Sequence, residues 1–426
     1  MAKLSFLGAV EEVGRSSILL EPREGSGLLL DCGVQMNHAT RFPVYVEPSR
    51  VRALAISHCH LDHVGGAPLF FIGGRRNAVS TRLTKELSAI LLLDMLKVSR
   101  GYLPFDSVEV SRFLSSLDVI ENRGVYRIDG DRISVELFNA GHVAGASQIM
   151  ASLDGLNVLY TGDMNMKSTR TVPAADTDYG RDVDVLITES TYATTEHPPR
   201  ESVEKKFVEA AKEVVESGGK VLVPAFGVGR SQEIITTFKA HNFPHKVMID
   251  GMAKTVTDIF LSYPQYLSEP ELFEEAVNSV IVLQGNRDRR DATKSPGVIV
   301  TPAGMLKGGP SVRYSEEIAR GKKNAIFLVS YQVEGTPGAI LLQKRMLPMG
   351  GKMVEVKARV EQFDFSSHNG KEEYLGLAKK TNPQSAFLVH GTSENVNFLA
   401  QELEDIGIPK VIKPALGETY QIGRQS

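Results

Sequence analysis

The sequence predicts a mixed α/β protein in which one module is interrupted by a second. Three observations carry this. Residues 3–31 alternate short apolar runs with turns, as an antiparallel meander does. After residue 193 the pattern becomes strand–helix alternation, which builds mainly parallel sheets. From 352 to 365 strand character returns, and two more strand-end histidines follow, His368 and His390. A chain of 426 residues also exceeds one ordinary domain and suggests two.

In order, Leu4–Leu7, Ser17–Leu20 and Leu28–Leu30 read as strands, the third ending in Asp31-Cys32-Gly33. Asp31 is either a turn-capping acid or a carboxylate that orients ligand imidazoles. Val51–Ile56 reads as a short buried strand. Thr81–Val98 is an amphipathic helix with Thr81 or Thr84 as N-cap and Gly101 beyond its end, and 106–121 reads as a further helix. Strands follow at Gly124–Ile128, Ile133–Asn139, Asn157–Asp163 and Val183–Tyr192.

Beyond 193, helices are expected at Glu201–Ser217, Ser231–Ala240 and Ala253–Leu261. Strands are expected at Lys220–Pro224, Lys246–Asp250, Val280–Leu283, Gly297–Thr301 and Ala325–Ser330. The closing segment offers a helix at Lys371–Lys380, a strand at Ser385–Val389, a helix at Glu394–Ile406 and a strand at Val411–Ile412.

The chemistry gathers at Ser57-His58-Cys59-His60-Leu61-Asp62-His63. Three of the chain's ten histidines and an aspartate fall within six positions, where a strand ends and the backbone turns. Neutral imidazoles beside carboxylates are donors for Zn²⁺, Mn²⁺ or Fe²⁺. Cys59 is read as a small buried residue and not as a ligand. One such stretch cannot close two metal spheres, so distant donors must return to it. His142, between glycines after a strand, is a candidate. Asp163, at the strand end Thr161-Gly162-Asp163, is another, and a carboxylate there can bridge two metals. Taken alone, each reads as readily as a structural histidine or a turn aspartate. Glu189 closes one more strand. Acids and histidines at successive strand ends are what a site along one sheet edge would produce.

Composition bounds the partners. Hydrophobic residues are 42% and charged residues 23%, the balance of a globular enzyme. No apolar run reaches the roughly 20 residues of a membrane span, and no signal peptide is read at Met1–Leu7. Two cysteines argue for a reducing, cytoplasmic setting. A net charge of −3 does not advertise nucleic-acid binding, although a local basic cleft would suffice for a nuclease. Arg75 with Arg76, and Arg287 with Arg289 and Arg290, form clusters that read equally well as solvated loop charges. The glycine turns at Gly304, Gly308-Gly309-Pro310 and Gly335 could approach phosphate or simply punctuate loops.

Together these motifs resemble the metallo-β-lactamase fold and, within it, the β-CASP nucleases. The ordered signatures are Asp31, His58-x-His60-x-Asp62-His63, His142, Asp163, Glu189, His368 and His390. Further family-like stretches are 8–16, Pro224–Arg230, Gly304–Pro310 and Tyr331–Gly335. The likeness is greatest to archaeal and bacterial relatives of the cleavage-and-polyadenylation endonuclease, of the kind without KH domains. The resemblance implies a four-layer αββα sandwich. It assigns 1–193 and 363–426 to the lactamase domain and 194–362 to the inserted β-CASP domain.

The resemblance also implies two Zn²⁺ ions. His58, His60 and His142 would hold one, Asp62, His63 and His390 the other, and Asp163 would bridge, with Asp31 supporting the ligands. Asp62, Glu189 and His368 would be catalytic, and Ser366, Ser367 and His368 would meet substrate phosphate. A metal-activated water would attack the phosphodiester and leave a 5′-phosphate. His390 tilts the substrate toward single-stranded RNA; internal cutting is expected, and the sequence leaves open whether cutting also proceeds from the 5′ end. A homodimer and RNA-processing subunits are the further partners it suggests.

Three stretches depart from the family pattern: Asn369-Gly370 where Ala-Asp is usual, Thr392 where an acid is common, and Ala303-Gly304 where serine-glycine is usual. The competing readings are a small-molecule metallo-hydrolase, disfavoured by the large insertion, and a non-catalytic RNA-binding subunit, disfavoured by the full donor set. A DNA nuclease is disfavoured by His390.

Overall fold

The computed structural model describes residues 1–36, 40–99, 101–128, 130 and 132–424. Its contacts divide the chain into two units. Met1–Ser168, Ala174–Glu196 and Ser367–Ser426 form the first, and Thr169–Pro173 with His197–Ser366 the second. Among the described residues, no helix is long and apolar enough to cross a membrane.

The first unit is a sandwich of two seven-stranded sheets. One sheet runs Thr419–Ile422, Ala2–Phe6, Ile18–Glu21, Gly27–Leu30, Val51–Ala55, Asn77–Ser80, Leu117–Val119 in spatial order. The other runs Val411–Ile412, Ser385–Val389, Val185–Glu189, Leu156–Tyr160, Ser147–Leu153, Ile133–Asn139, Val125–Ile128. Side chains alternate across a strand, and here both faces are used. Leu28, Leu30, Ala53 and Ala55 enter the core between the sheets, against Val135, Leu137, Ile149, Val158 and Ile187. Leu29 and Leu54 point the other way and pack under the helices Arg82–Ser99 and Ser107–Ser116, on Leu92, Met95, Val110 and Phe113. The helices Lys371–Thr381 and Ser393–Asp405 belong to the second sheet's outer layer, the latter packing on Ser385–Val389. This is the αββα arrangement.

The early meander is antiparallel, Ala2–Phe6 with Ile18–Glu21 and Ile18–Glu21 with Gly27–Leu30. Beyond it the pairing turns parallel: Gly27–Leu30 with Val51–Ala55, and Val51–Ala55 with Asn77–Ser80. In the second sheet Leu156–Tyr160, Val185–Glu189 and Ser385–Val389 are also parallel neighbours. Parallel neighbours end at the same edge, so loops distant in sequence meet there.

The second unit holds a six-stranded sheet, in the order Ile281–Val282, Val247–Ile249, Gly297–Thr301, Lys220–Pro224, Ala325–Leu328, Arg359–Gln362. Every pairing in it is parallel.

Some elements differ from expectation. The helix expected over 106–121 stops at Ser116, and Leu117–Val119 is an edge strand. Ser147–Leu153 is an additional strand. Its central run is buried on both faces, so it lacks the alternation that marks a half-exposed strand. Thr169–Pro173 lies in the second unit. Glu233 accepts hydrogen bonds from the backbone of Arg170 and Thr171 and from the Thr171 hydroxyl, while Arg170 pairs with buried Glu204.

Candidate metal centre

The histidine-rich turn is built by backbone bonding. After Val51–Ala55 the chain leaves the sheet and forms one helical turn, Leu61–Val64. Three carbonyls of that turn accept from neighbouring loops: Asp62 from Ser16, His63 from Cys32 and Leu61 from Val34, each at 2.8 Å. Gly33 permits this closeness, because a Cβ there would lie 1.7 Å from the Asp62 carbonyl oxygen. His142 sits in the loop after Ile133–Asn139, and Asp163 follows Leu156–Tyr160. Glu189 ends its strand, and His390 follows Ser385–Val389. All are at the edge where the parallel strands terminate.

Three nitrogens converge. His58 Nε2 lies 3.1 Å from His60 Nδ1, and His142 Nε2 lies 3.2 Å from the same atom. Tetrahedral ligands about 2.0–2.1 Å from an ion stand about 3.3 Å apart, so this triangle fits one cation. Asp163 faces two ways. Its Oδ2 is 3.7 Å from His58 Nε2 and 3.8 Å from His142 Nε2. Its Oδ1 is 3.2 Å from His63 Nε2 and 3.4 Å from His390 Nδ1. His390 Nε2 approaches Asp62 Oδ2 at 3.6 Å, and the His63 and His390 ring centres are 5.0 Å apart. The donor atoms of Asp62, His63 and His390 form a second group within 4.8 Å of one another. Asp163 Oδ1 and His390 Nε2 are buried and make no hydrogen bond. Buried polar atoms are rarely left so. Orphaned donors in a nest of imidazoles and acids fit metal ions.

The outer ring fixes which nitrogen points inward. The Ser367 carbonyl can only accept, so His142 Nδ1 (2.9 Å away) carries the proton and Nε2 faces the centre. Asp31 does the same for His63 Nδ1 at 2.7 Å. Asp31 also accepts from Ser57 N–H (2.7 Å), Ser57 Oγ (2.6 Å) and Tyr160 OH (2.9 Å). Glu189 accepts from His368 Nδ1 at 2.9 Å, from Met164 N–H at 2.9 Å and from the Thr191 hydroxyl. The His142 and His368 ring centres are 4.6 Å apart. Ser367 and His368 thus join the group. Ser366 belongs to the second unit, where its carbonyl accepts from Arg200.

Charge follows burial. Burial, with neighbouring His63 for the one and His368 for the other, holds His58 and His142 well below the usual imidazole range. Burial also lowers His60. These rings are neutral, as metal ligands must be. For His63 burial acts downward, but Asp163 and Asp31 outweigh it and raise the ring well above its ordinary value. Asp163 stays well below the carboxylate range despite burial, because His390 and His63 flank it. Burial pushes the Cys59 thiol up to about 12, and among the described residues Cys59 joins none of the converging donor groups.

Sequence reading missed Ser57, Tyr160, Thr191 and Asn369. Thr191 Oγ lies 3.2 Å from His390 Nδ1. Asn369 accepts from Met166 N–H at 2.8 Å and donates its own N–H to Met164 O at 2.8 Å, tying the loop after Asp163 to the loop bearing His368. None carries a local signal. Beside the near contacts of Thr191 with Glu189 and Ser57 with His58, the Asp31 partner of Ser57 is 26 residues away, and Tyr160, Thr191 and Asn369 meet Asp31, His390 and Met166 across 129 to 203 residues.

Comparison with known proteins gives three family matches along the chain. Residues 10–225 match the metallo-beta-lactamase superfamily, 232–341 the Beta-Casp domain, and 353–414 the Zn-dependent metallo-hydrolase RNA specificity domain. The chain belongs to the metallo-β-lactamase superfamily, in its β-CASP branch. Within this family it is 39% identical to "RNase aCSPSF2" of Saccharolobus solfataricus, over 98% of this chain and 85% of that protein. It is 34% identical to "Probable RNase MJ4" of Methanocaldococcus jannaschii, over 99% of this chain and 100% of that one. A crystal structure of a protein of unknown function from Enterococcus faecalis V583 shares the fold, with a TM-score of 0.62 at 13% identity, covering 98% and 99% of the two chains.

Proposed function

We propose that this β-CASP protein is a metal-dependent ribonuclease that hydrolyses phosphodiester bonds in single-stranded RNA. The observation that carries the reading is Asp163, one oxygen toward the His58/His60/His142 group and the other toward His63 and His390. The RNase names of the relatives and the matched RNA-specificity region support RNA as substrate. In this reading the first group would hold one zinc ion and Asp62, His63 and His390 another, with the Asp163 carboxylate lying between the two groups. Two such cations, when bound, lower the pKa of a water and offset charge on phosphoryl oxygens.

The chain's own residues supply position and proton. Glu189 holds His368 Nδ1–H, which leaves Nε2 to carry a proton to the departing 3′-oxygen. Asp31 and Ser367 keep His63 and His142 in the ligating tautomer. The Ser367 hydroxyl is a proposed donor to phosphate oxygen. Water and not the ribose 2′-hydroxyl is the attacker, so products carry 5′-phosphate and 3′-hydroxyl ends. Cleavage is internal, with 5′-end trimming as a further mode.

The test uses 5′- and 3′-labelled single-stranded RNA, with single-stranded DNA and nitrocefin in parallel. RNA should be cut with 5′-phosphate ends, and a chelator should abolish cutting. A 2′,3′-cyclic phosphate product contradicts the reading. His368→Ala should keep its metal and lose about 10²- to 10⁴-fold in kcat with little change in KM. Wild-type rates in that variant would remove His368 from its role.

A further inference from the structure

We propose that the first unit carries a second, separate site for a phosphate group, at the edge of its sheet opposite the metal centre. The strands Gly27–Leu30, Val51–Ala55 and Asn77–Ser80 are parallel neighbours. Their C-terminal ends lead toward Asp31, His58 and Thr81. Their N-terminal ends border an open hollow of about 250 Å³, lined by Ser26, Ser49, Val51, Arg52, Arg75, Arg76 and Asn77. At about 3.3 Å per residue, the seven steps from Val51 to His58, which begin with the strand Val51–Ala55, separate the two sites by roughly 20 Å.

The lining is rich in guanidinium. Arg75 and Arg76 face the hollow beside Arg52, and no carboxylate is among the described residues that line it, the Glu47 carboxylate standing behind Ser49 at 3.5 Å from its Oγ. Arg76 is pre-positioned, donating Nε–H to the Phe70 carbonyl and Nη1–H to the Val51 carbonyl, both at 3.0 Å. Those bonds fix its planar fork and leave Nη2 unused by them. They also satisfy carbonyls without neutralising the charge. The neighbouring Arg50 is different: it is spent in a two-point pair with Glu21, Nε to Oε1 at 2.9 Å and Nη2 to Oε2 at 2.6 Å. Ser49 and Asn77 add neutral hydrogen-bonding groups at the rim. A fixed guanidinium fork at Arg76, the guanidinium of Arg75 and polar neutral groups around a hollow form a phosphate receptor, because guanidinium binds phosphate oxygens two at a time.

The phosphate has two sources of the same chemistry. One is the backbone of an RNA strand that extends past the scissile bond. The other is a free phosphate or nucleoside monophosphate. The RNA source rests on the ribonuclease reading, and the free-phosphate source does not.

The experiment compares metal-loaded wild type with Arg75→Glu and with Arg76→Gln. Arg75→Glu touches none of the carbonyl bonds that Arg76 makes, so it is the safer variant for folding. Three measurements are made: hydrolysis of bis(p-nitrophenyl) phosphate, kcat/KM for a 30-nucleotide single-stranded RNA across salt, and calorimetric titration with inorganic phosphate and adenosine 5′-monophosphate. Hydrolysis of the small ester should not change, since it needs only the metal centre. If the site takes RNA backbone, KM for the long RNA rises about tenfold at unchanged kcat. The slope of log kcat/KM against log salt then becomes shallower by about 0.7 for each phosphate the variant no longer neutralises. If it takes free phosphate, one class of binding present in wild type disappears in both variants while RNA kinetics stay the same. Unchanged RNA kinetics together with unchanged phosphate and nucleotide binding would overturn the proposal. So would an equal fall in small-ester hydrolysis, which signals general damage. Absence of hydrolysis in wild type would instead count against the ribonuclease reading and leave the titration to decide the phosphate site.

Discussion

Asp31 shows how much of this centre depends on residues behind the donors. Its carboxylate gathers His63 Nδ1–H, Ser57 N–H, Ser57 O–H and Tyr160 O–H within 2.6 to 2.9 Å. Its φ of +57° is a left-handed value that asparagine also tolerates, so Asp31→Asn should fold. The amide removes the anionic acceptor and offers an N–H₂ toward His63. Metal affinity should fall about 10- to 100-fold, read by competition with a chromogenic chelator. A wild-type affinity would mean that Asp31 is only a turn residue.

The same residues set a pH dependence for the metal-free protein. His58, His60 and His142 titrate lower in the folded chain than the ordinary imidazole value of 6.5. Below 6.5 the unfolded state therefore binds more protons, and stability falls as the pH is lowered. His63 acts oppositely: raised in the fold, it adds stability that is present below 6.5 and lost only as pH climbs through its higher folded value. Asp163, depressed in the fold, gives stability that disappears in acid, below its ordinary 3.8. Metal-free protein should thus melt at lower temperature at pH 5 than at pH 7, and His142→Gln should flatten that difference in a thermal melt. An identical slope in the variant would contradict the assignment. The donors themselves were legible in the sequence, as acids and histidines at strand ends. Ser57, Tyr160, Thr191 and Asn369 were not, because a hydroxyl or amide acquires its role only from partners that folding brings near.

At the scale of elements, the segment 106–121 separates local from tertiary causes. The apolar spacing continues past Ser116, yet the helix ends there and Leu117–Val119 pairs in parallel with Asn77–Ser80. Edge pairing in the sheet overrides local periodicity. The helix start, in contrast, is set locally. Asp106 accepts from Val108 N–H at 2.7 Å, and Glu109 accepts from Asp106 N–H at 3.1 Å, which completes a capping box. Asp106→Ala should destabilise the first unit by about 1 kcal/mol in urea denaturation, with metal content unchanged. A loss several times larger would place Asp106 in a role beyond capping. The strand Ser147–Leu153 escaped the sequence reading for the reason given by its burial: an interior strand has no polar face to mark its period.

For the whole molecule, the alternation of strands and helices beyond residue 193 foretold a mainly parallel sheet, and the six strands of the second unit's large sheet pair in that sense throughout, beside a separate antiparallel pair, Met346–Met349 with Lys352–Glu355. What composition could not foretell is that Thr169–Pro173 leaves the first unit and packs in the second, since this depends on Glu204 and Glu233 as distant acceptors. The functional account reduces to one geometrical statement: segments as far apart as Asp62 and His390 place their donors around Asp163 so that two cations fit. Metal content per chain tests it most directly, measured by inductively coupled plasma mass spectrometry on zinc-loaded protein after gel filtration. The account expects two ions per wild-type chain and, in Asp163→Ala, fewer than one, with RNA cleavage lost in parallel. Zero or one ion in wild type, or two retained without Asp163, would contradict it.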